Sequence, residues 1–268
     1  MSKDLVTIAL ADGVADVRLN RPDKYNALSP EMFRAIVAAG DQLAEAKDVR
    51  AVVLSGNGRG FCAGLDMESM AGLSDGGSGD SNTLLGRDER PENFAQRPAM
   101  VWKRLPVPVI SALHGVTYGG GAQIALGTDI RVASPDTKMS IMEIKWGLIP
   151  DMSISQTLRD IVPLDVAKEL TMTGRILSGE EARELGLVTR VEEKPLEYAL
   201  SMAHEIAGKS PDAIRASKQL LETVWHADER VGLALESSLQ TELIGSANQI
   251  EAVKANFEKR APNFTDPE

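Results

Sequence analysis

Two carboxylates and a run of three glycines are the residues whose types and spacing could do chemistry in this chain. The glycines, Gly119 to Gly121, stand between a predicted apolar strand, Val109 to Leu113, and a predicted helix, Ala122 to Leu126. Such a turn exposes backbone N–H groups that no side chain covers, and the positive helix end strengthens their pull on negative charge. Glu143 follows, and Asp151 comes eight residues later. An acid beside an anion-stabilising turn predicts proton transfer next to a carbonyl.

Two further strands are predicted to deliver Glu143. They span Ile130 to Ala133 and Lys138 to Ile141, and we expect them to form a pair. Asp151 has a second interpretation, because a carboxylate at that place could also be the N-cap of a helix that begins at Met152. The two roles are compatible.

Alternating short strands and helices predict an α/β fold for the first part of the chain. This alternation stops near residue 192, where helical patterns take over. We therefore predict a core over residues 1–192 and a helical C-terminal region over residues 193–268, which packs on the core or on a neighbouring subunit. A Gly-, Ser- and Asp-rich stretch over residues 72–90 is predicted to be a mobile surface loop or a lid.

Composition limits the classes of partner. The chain has 268 residues and a net charge of −10, which makes nucleic acid and anionic membranes poor partners. Its single cysteine, Cys62, excludes an intrachain disulfide, and no apolar run is long enough to cross a membrane. No Cys, His or carboxylate cluster has the spacing of metal ligands. We expect a cytoplasmic protein without a metal.

Five segments in this order resemble the crotonase, or enoyl-CoA hydratase/isomerase, superfamily. They are RPDKYNALS (21–29), GRGFCAGLDM (58–67), HGVTYGGGAQIALGTDIRVAS (114–134), MEIKWGLIPD (142–151) and NFEKRAPNF (256–264). The resemblance covers nearly the whole chain. It implies a crotonase-type spiral of ββα units with a C-terminal helical region, and a homotrimer or a dimer of trimers. It also implies an acyl-CoA substrate, with coenzyme A as the substrate's carrier and no other cofactor.

The same resemblance assigns residues to the acyl-CoA site. By motif position, the two backbone N–H groups that bind the thioester oxygen fall on Leu65 and Gly120. Lys24 is a candidate contact for a phosphate of coenzyme A. The channel for the adenine and pantetheine groups would be lined by Ala63, Gly64, Leu65, Asp66 and Met67.

The acidic residues depart from the family's usual pattern. A typical hydratase carries two glutamates, and here their positions hold Gln123 and Glu143. An amide can hold water but cannot take its proton near neutral pH. Asp151 falls where dienoyl-CoA isomerases place a second acid, although those enzymes carry another acid at the position of Gln123. We therefore expect Glu143 to transfer the proton, Asp151 to act as its partner or relay, and Gln123 to bind water or substrate.

Three functions remain open from the sequence. The first is a double-bond isomerase acting on enoyl- or dienoyl-CoA, which one base can catalyse. The second is an enoyl-CoA hydratase of fatty-acid β-oxidation, in which Glu143 would work with water bound by Gln123. The third is a non-catalytic acyl-CoA-binding protein that kept the glycine turn but lost one acid.

Overall fold

Strands and helices alternate through the first two thirds of the chain in the computed structural model, which describes residues 4–74 and 89–267. The strands in those residues are β1 (Val6–Ala11), β2 (Val14–Leu19), β3 (Ala51–Gly56), β4 (Gly60–Cys62), β5 (Val109–Leu113), β6 (Val116–Tyr118), β7 (Ile130–Ala133), β8 (Lys138–Ser140) and β9 (Arg190–Val191). They form a six-stranded sheet, in the order β1-β2-β3-β5-β7-β9, and a three-stranded sheet, in the order β4-β6-β8. Apart from the antiparallel β1–β2 hairpin, neighbouring strands are parallel.

Eleven α-helices lie in the described residues. They are α1 (Pro30–Glu45), α2 (Met67–Ser74), α3 (Arg97–Lys103), α4 (Gly120–Leu126), α5 (Ile154–Thr157), α6 (Leu164–Thr173), α7 (Gly179–Glu184), α8 (Pro195–Ala207), α9 (Pro211–Val224), α10 (Glu229–Leu243) and α11 (Ala247–Glu258). Two short 3-10 helices, Pro22–Lys24 and Glu143–Trp146, complete the set. No helix in this part of the chain is both long enough and apolar enough to cross a membrane.

One structural unit repeats after the hairpin: a strand of the large sheet, a strand of the small sheet, then a helix. β3 and β4 lead to α2, β5 and β6 lead to α4, and β7 and β8 lead to the 3-10 helix Glu143–Trp146. Gly115 makes the bend between β5 and β6 at φ +55°, where a Cβ would lie 2.1 Å from the Arg59 carbonyl oxygen. The predicted α/β class with ββα units is therefore confirmed.

The strand pair predicted before Glu143 is wrong in its pairing. β7 pairs with β5 in the large sheet, whereas β8 pairs with β6 in the small one. The two strands separate because each continues the sheet that the preceding unit began, and parallel partners are already in place there.

Several predicted boundaries also shift. The helix that carries the last glycines starts at Gly120 rather than Ala122. α2 extends to Ser74, so the predicted loop over residues 72–90 starts in a helix, and residues 75–88 lie outside the described part of the chain. The N-cap prediction for Asp151 is wrong, since α5 begins at Ile154 and its N-cap is Ser153.

Two of the helices after residue 192, α8 and α9, are attached to the large sheet. Ala199 and Ala203 of α8 are buried against a cluster that contains Val53 and Ile110. Lys218 of α9 donates a hydrogen bond to Asp129 at 2.7 Å, and both side chains are largely buried. α8 and α9 are thus fixed on the core, while the division at residue 192 remains a prediction.

Asn26 connects the loop after β2 to the loop around β4. It is fully buried in the left-handed region, at φ +56°, which asparagine tolerates better than most residues. Its Nδ2 donates to the carbonyl oxygens of Asn57, Gly60 and Phe61, each at 3.0 Å. Its Oδ1 accepts from the Arg21 N–H at 2.8 Å. One side chain therefore satisfies several buried backbone groups and sets the path of the chain into residues 63–66.

A buried ion pair reinforces this connection. Arg21 Nη1 donates to Asp66 Oδ2 at 2.5 Å and to the Ala27 carbonyl at 3.0 Å. Asp66 also caps the start of α2 by accepting from the Glu68 N–H, the main cause that lowers the pKa of its carboxyl group. The loop that holds residues 63–66 is thus fixed on both sides.

We expect Asn26→Asp to destabilise the fold strongly, because a carboxylate would replace the donor amide opposite buried carbonyl oxygens. Leaving such groups unpaired costs about 1–3 kcal/mol each, so the free energy of unfolding should fall by at least ~2 kcal/mol in urea titrations. The exposed Asn256→Asp is the matched control and should stay within about 0.5 kcal/mol of wild type. Equal stability of the two variants would contradict the role assigned to Asn26.

Candidate active site

Two loops come together where the sequence predicts an anion-binding turn. Gly64 has φ +85°, and a Cβ built on it would lie 2.7 Å from the Tyr118 carbonyl oxygen and 3.4 Å from the Gly120 nitrogen. Within the described residues, neither the Leu65 N–H nor the Gly120 N–H donates to a protein acceptor. Two unpaired backbone donors therefore lie on adjoining segments, as an oxyanion site needs.

The position of Gly120 is fixed by its neighbours. A Cβ there would lie 2.7 Å from Met152 Sδ and 2.8 Å from Leu28 Cδ1, and both of those side chains are buried. Leu28 also pairs with the other loop, because its N–H donates to the Gly64 carbonyl at 2.8 Å and its carbonyl accepts from Asp66 at 3.0 Å. The packing thus requires glycine at this end of α4 and holds both loops against one another.

The carboxylate of Glu143 lies at the same turn. A Cβ on Gly119, which has φ +49°, would be 3.3 Å from Glu143 Oε1. Glu143 is half-buried at the start of its 3-10 helix. The sequence prediction of an acid beside the glycine turn therefore has a matching geometry, while its role in proton transfer remains a prediction.

Gln123 contacts Glu143 directly. Its Nε2 donates to Glu143 Oε1 at 2.5 Å, and its Oε1 accepts from the Met152 N–H at 2.8 Å. The side chain is fully buried. This differs from the sequence prediction, in which Gln123 binds water or substrate, because both polar atoms of its amide are bonded to the protein.

Burial and a neighbouring charge act on Glu143. Loss of solvation raises the pKa of its carboxyl group, hydrogen bonds from its own backbone and from Gln123 oppose the rise, and the charge of Asp151 adds a smaller increase. Its second oxygen, Oε2, is buried and has no hydrogen-bond partner among the described residues. An oxygen without solvent or a donor disfavours the ionised form of the carboxyl group.

Asp151 lies close enough for its charge to act on Glu143. Its side chain keeps contact with solvent, yet the protein around it raises the pKa of its carboxyl group by desolvation. Directly after it, buried Ser153 adopts φ +71° and donates its hydroxyl to the Gln96 carbonyl at 3.1 Å. Asp151 thus lies within electrostatic range of Glu143, and its role as partner or relay remains a prediction.

The remaining predicted ligand-binding residues differ in accessibility. Lys24 and Met67 are exposed, and the side chain of Met67 is 68% accessible. Ala63 donates its N–H to the Tyr25 carbonyl. Asp66 is only 4% accessible and is bonded to Arg21 and to the start of α2, so its carboxylate holds the loop rather than facing a channel.

Two residues of the site were not predicted from the sequence. Met152 contributes a backbone N–H to Gln123 and a side chain to the packing over Gly120. Asn26 fixes the opposite loop. A turn-forming asparagine inside RPDKYNALS gives a weak signal for Asn26, whereas no local signal identifies Met152, because its contacts come from a helix far away in sequence. Among the described residues, no group of three or more His, Cys, Asp or Glu side chains could hold a metal ion.

Comparisons with known proteins identify the family of this chain. The family model described as enoyl-CoA hydratase/isomerase matches residues 10–267. The chain is 33% identical to the mouse mitochondrial enoyl-CoA hydratase domain-containing protein 2, over 94% of this chain and 84% of the relative. It is 32% identical to the peroxisomal Δ(3,5)-Δ(2,4)-dienoyl-CoA isomerase of Arabidopsis thaliana, over 92% of this chain and 90% of that protein.

A solved structure shares the fold. The enoyl-CoA hydratase from Bacillus anthracis aligns with a TM-score of 0.87 and 29% identity, covering 97% of this chain and 98% of that one. The similarity extends across the ββα units, the glycine turn and the C-terminal helices. On the family match and on these relatives, the chain belongs to the enoyl-CoA hydratase/isomerase family.

Proposed function

We propose that this protein is a double-bond isomerase that acts on enoyl- or dienoyl-coenzyme A thioesters. The backbone N–H groups of Leu65 and Gly120 hold the thioester oxygen, and Glu143 moves a proton from one carbon of the acyl chain to another. The observation that carries the proposal is the pairing of Glu143 with a neutral amide, Gln123, where a second acid would serve hydration. Family membership supports the class of substrate.

The reaction follows from the arrangement of donors and base. Removal of a proton from the carbon next to the thioester leaves an extended enolate, whose negative charge is shared between the thioester oxygen and the acyl chain. Each well-placed donor to such an oxygen contributes about 2.7–4 kcal/mol to the transition state. Glu143, now protonated, returns the proton at the other end of the delocalised system, which shifts the double bond without any change in composition.

Asp151 has a supporting role in this proposal. Its charge raises the pKa of the Glu143 carboxyl group, which makes that group a stronger base. Its contact with solvent also lets it exchange a proton with water. In a dienoyl substrate, Asp151 serves as a partner that accepts or supplies the proton at the more distant carbon.

Hydration is the second candidate, and the solvent contact of Asp151 favours it, since a carboxylate that meets water can activate it. The relatives include proteins named as hydratases and one named as an isomerase. In this alternative, Asp151 rather than Gln123 would handle the water, because the amide of Gln123 is bonded to Glu143 and Met152.

We expect the purified protein to convert 3-enoyl-CoA into the conjugated 2-enoyl-CoA, or 3,5-dienoyl-CoA into 2,4-dienoyl-CoA. The growth of the conjugated absorbance band measures either reaction. Loss of that band from 2-enoyl-CoA, with a product heavier by one water, would instead establish hydration. Binding of every thioester without turnover would establish a non-catalytic acyl-CoA-binding protein, the third function that the sequence left open.

Glu143→Gln should lower kcat by about 10²–10⁴-fold, because proton transfer by a positioned side chain contributes that much. KM should change by less than about threefold, since the variant keeps the shape of the site and the backbone donors. Exposed Glu236, on α10, supplies the matched control, and Glu236→Gln should behave as wild type. A fully active Glu143→Gln variant would eliminate Glu143 as the base.

The pH profile should report the raised pKa of Glu143. The base must be ionised, so kcat/KM should fall as pH drops through that pKa, at a pH above the ordinary range of a glutamate. Asp151→Asn removes the charge that raises this pKa, so the acidic limb should move to lower pH. An unchanged limb in Asp151→Asn would show that the two carboxylates do not interact.

A further inference from the structure

Gln123 has an amide whose orientation the protein itself determines. Its Oε1 accepts the Met152 N–H at 2.8 Å, and a backbone N–H can only donate. The NH₂ group must therefore be the end that meets Glu143, at 2.5 Å. Because the side chain is fully buried, water does not compete for either bond.

This orientation makes the two oxygens of Glu143 different from each other. Oε1 accepts from Gln123, whereas Oε2 is buried without a hydrogen-bond partner in the described residues. Rotation of the carboxylate would exchange the two oxygens, and the bond to Gln123 resists that rotation. Oε1, the oxygen that lies nearest Gly119, is thereby held at the glycine turn.

The other end of the same amide holds the segment that carries Asp151. The Met152 N–H belongs to the peptide that joins Asp151 to Met152, so Gln123 anchors the backbone beside that carboxylate. Ser153, at φ +71°, is fixed by its hydroxyl bond to the Gln96 carbonyl. Gln123 therefore links the residue that carries the base to the segment that carries its charged neighbour.

We propose that Gln123 is a positioning residue, whose amide fixes the carboxylate of Glu143 beside the glycine turn and ties it to the segment that carries Asp151. Where a typical hydratase has a second acid, Gln123 has an uncharged amide that is hydrogen-bonded to both of the segments that carry the carboxylates. This inference rests on the proposed function in one respect, which is that Glu143 is the base. The geometry of the connection itself is independent of the substrate.

Two variants separate the two ends of the amide. Gln123→Glu keeps an acceptor for the Met152 N–H but replaces the donor to Glu143 with a second carboxyl group. Gln123→Met has nearly the same length and removes both hydrogen bonds without adding charge. Gln240→Glu, at an exposed position on α10, is the control for the added charge. Circular dichroism and thermal unfolding establish that each variant is folded.

The first readout needs no substrate. Carbon-13 NMR of protein labelled at glutamate side-chain carboxyl carbons follows the titration of Glu143, assigned as the signal that Glu143→Gln removes. Both Gln123 variants should raise the pKa of Glu143, Gln123→Glu by about one unit or more, since one adds a like charge and the other removes a stabilising donor. Asp151, the ionisable neighbour whose charge acts on Glu143, is present in all of these proteins. Gln240→Glu should leave the titration unchanged.

The second readout is the kinetic profile. Both Gln123 variants should lose about 10–100-fold in kcat with KM within about threefold, because a misplaced base costs rate rather than binding. The acidic limb of kcat/KM should move to higher pH in both variants. A folded Gln123→Met variant with the wild-type kcat and the wild-type titration of Glu143 would overturn the proposal. If the wild type turned over no thioester, the proposed function would fail, while the NMR titration would still decide the role of Gln123.

Discussion

The site depends on one close contact between two stretches of backbone. Gly64 lies against the carbonyl of Tyr118 and the nitrogen of Gly120, with no room for a side chain at Gly64. Gly120 is likewise enclosed by Met152 and Leu28. Backbone donors can approach each other in this way only when side chains are absent. The glycines are therefore required by steric exclusion, and the unpaired N–H groups at Leu65 and Gly120 are its consequence.

The elements around this contact hold it in place from several directions. Asn26 and the Arg21–Asp66 ion pair fix the loop after β4, while the ββα repeat places the ends of β6 and β8 beside it. These supports are polar groups that are largely buried, so each has few other hydrogen-bond partners to choose from. Preorganisation of this kind lets donors stabilise a developing charge without moving, which is the property that a thioester enolate needs.

Desolvation and a neighbouring charge act together on Glu143. Its carboxyl group is largely removed from solvent, lies within range of the charge of Asp151, and has one oxygen without a partner in the described part of the chain. The same arrangement costs stability, which is consistent with strain and unpaired groups being retained at functional sites. Gln123 limits that cost, because its donor stabilises the ionised form of Glu143.

The sequence predictions that agree with the structure depend on local residue patterns or on a family motif. Glu143 and the glycine turn stand in one continuous stretch, and strand and helix periodicities gave the α/β class. Sequence reasoning failed where the interacting residues are far apart in the chain. The pairing of β7 and β8 was wrong because sheet partners are chosen by the preceding units, and Asp66 was placed in a channel although Arg21 holds it.

The sequence by itself determined the family and the class of fold, and it indicated the candidate acid and the glycines that permit the turn, because these follow from residue types at short spacing. Only the tertiary structure decided which groups Gln123 bonds, how Asn26 and Met152 hold the two loops, and that Ser153 rather than Asp151 caps α5. A hydrogen bond is a property of three-dimensional distance and direction. Residues with the same local sequence could have bonded water instead, and packing alone selected the protein partners.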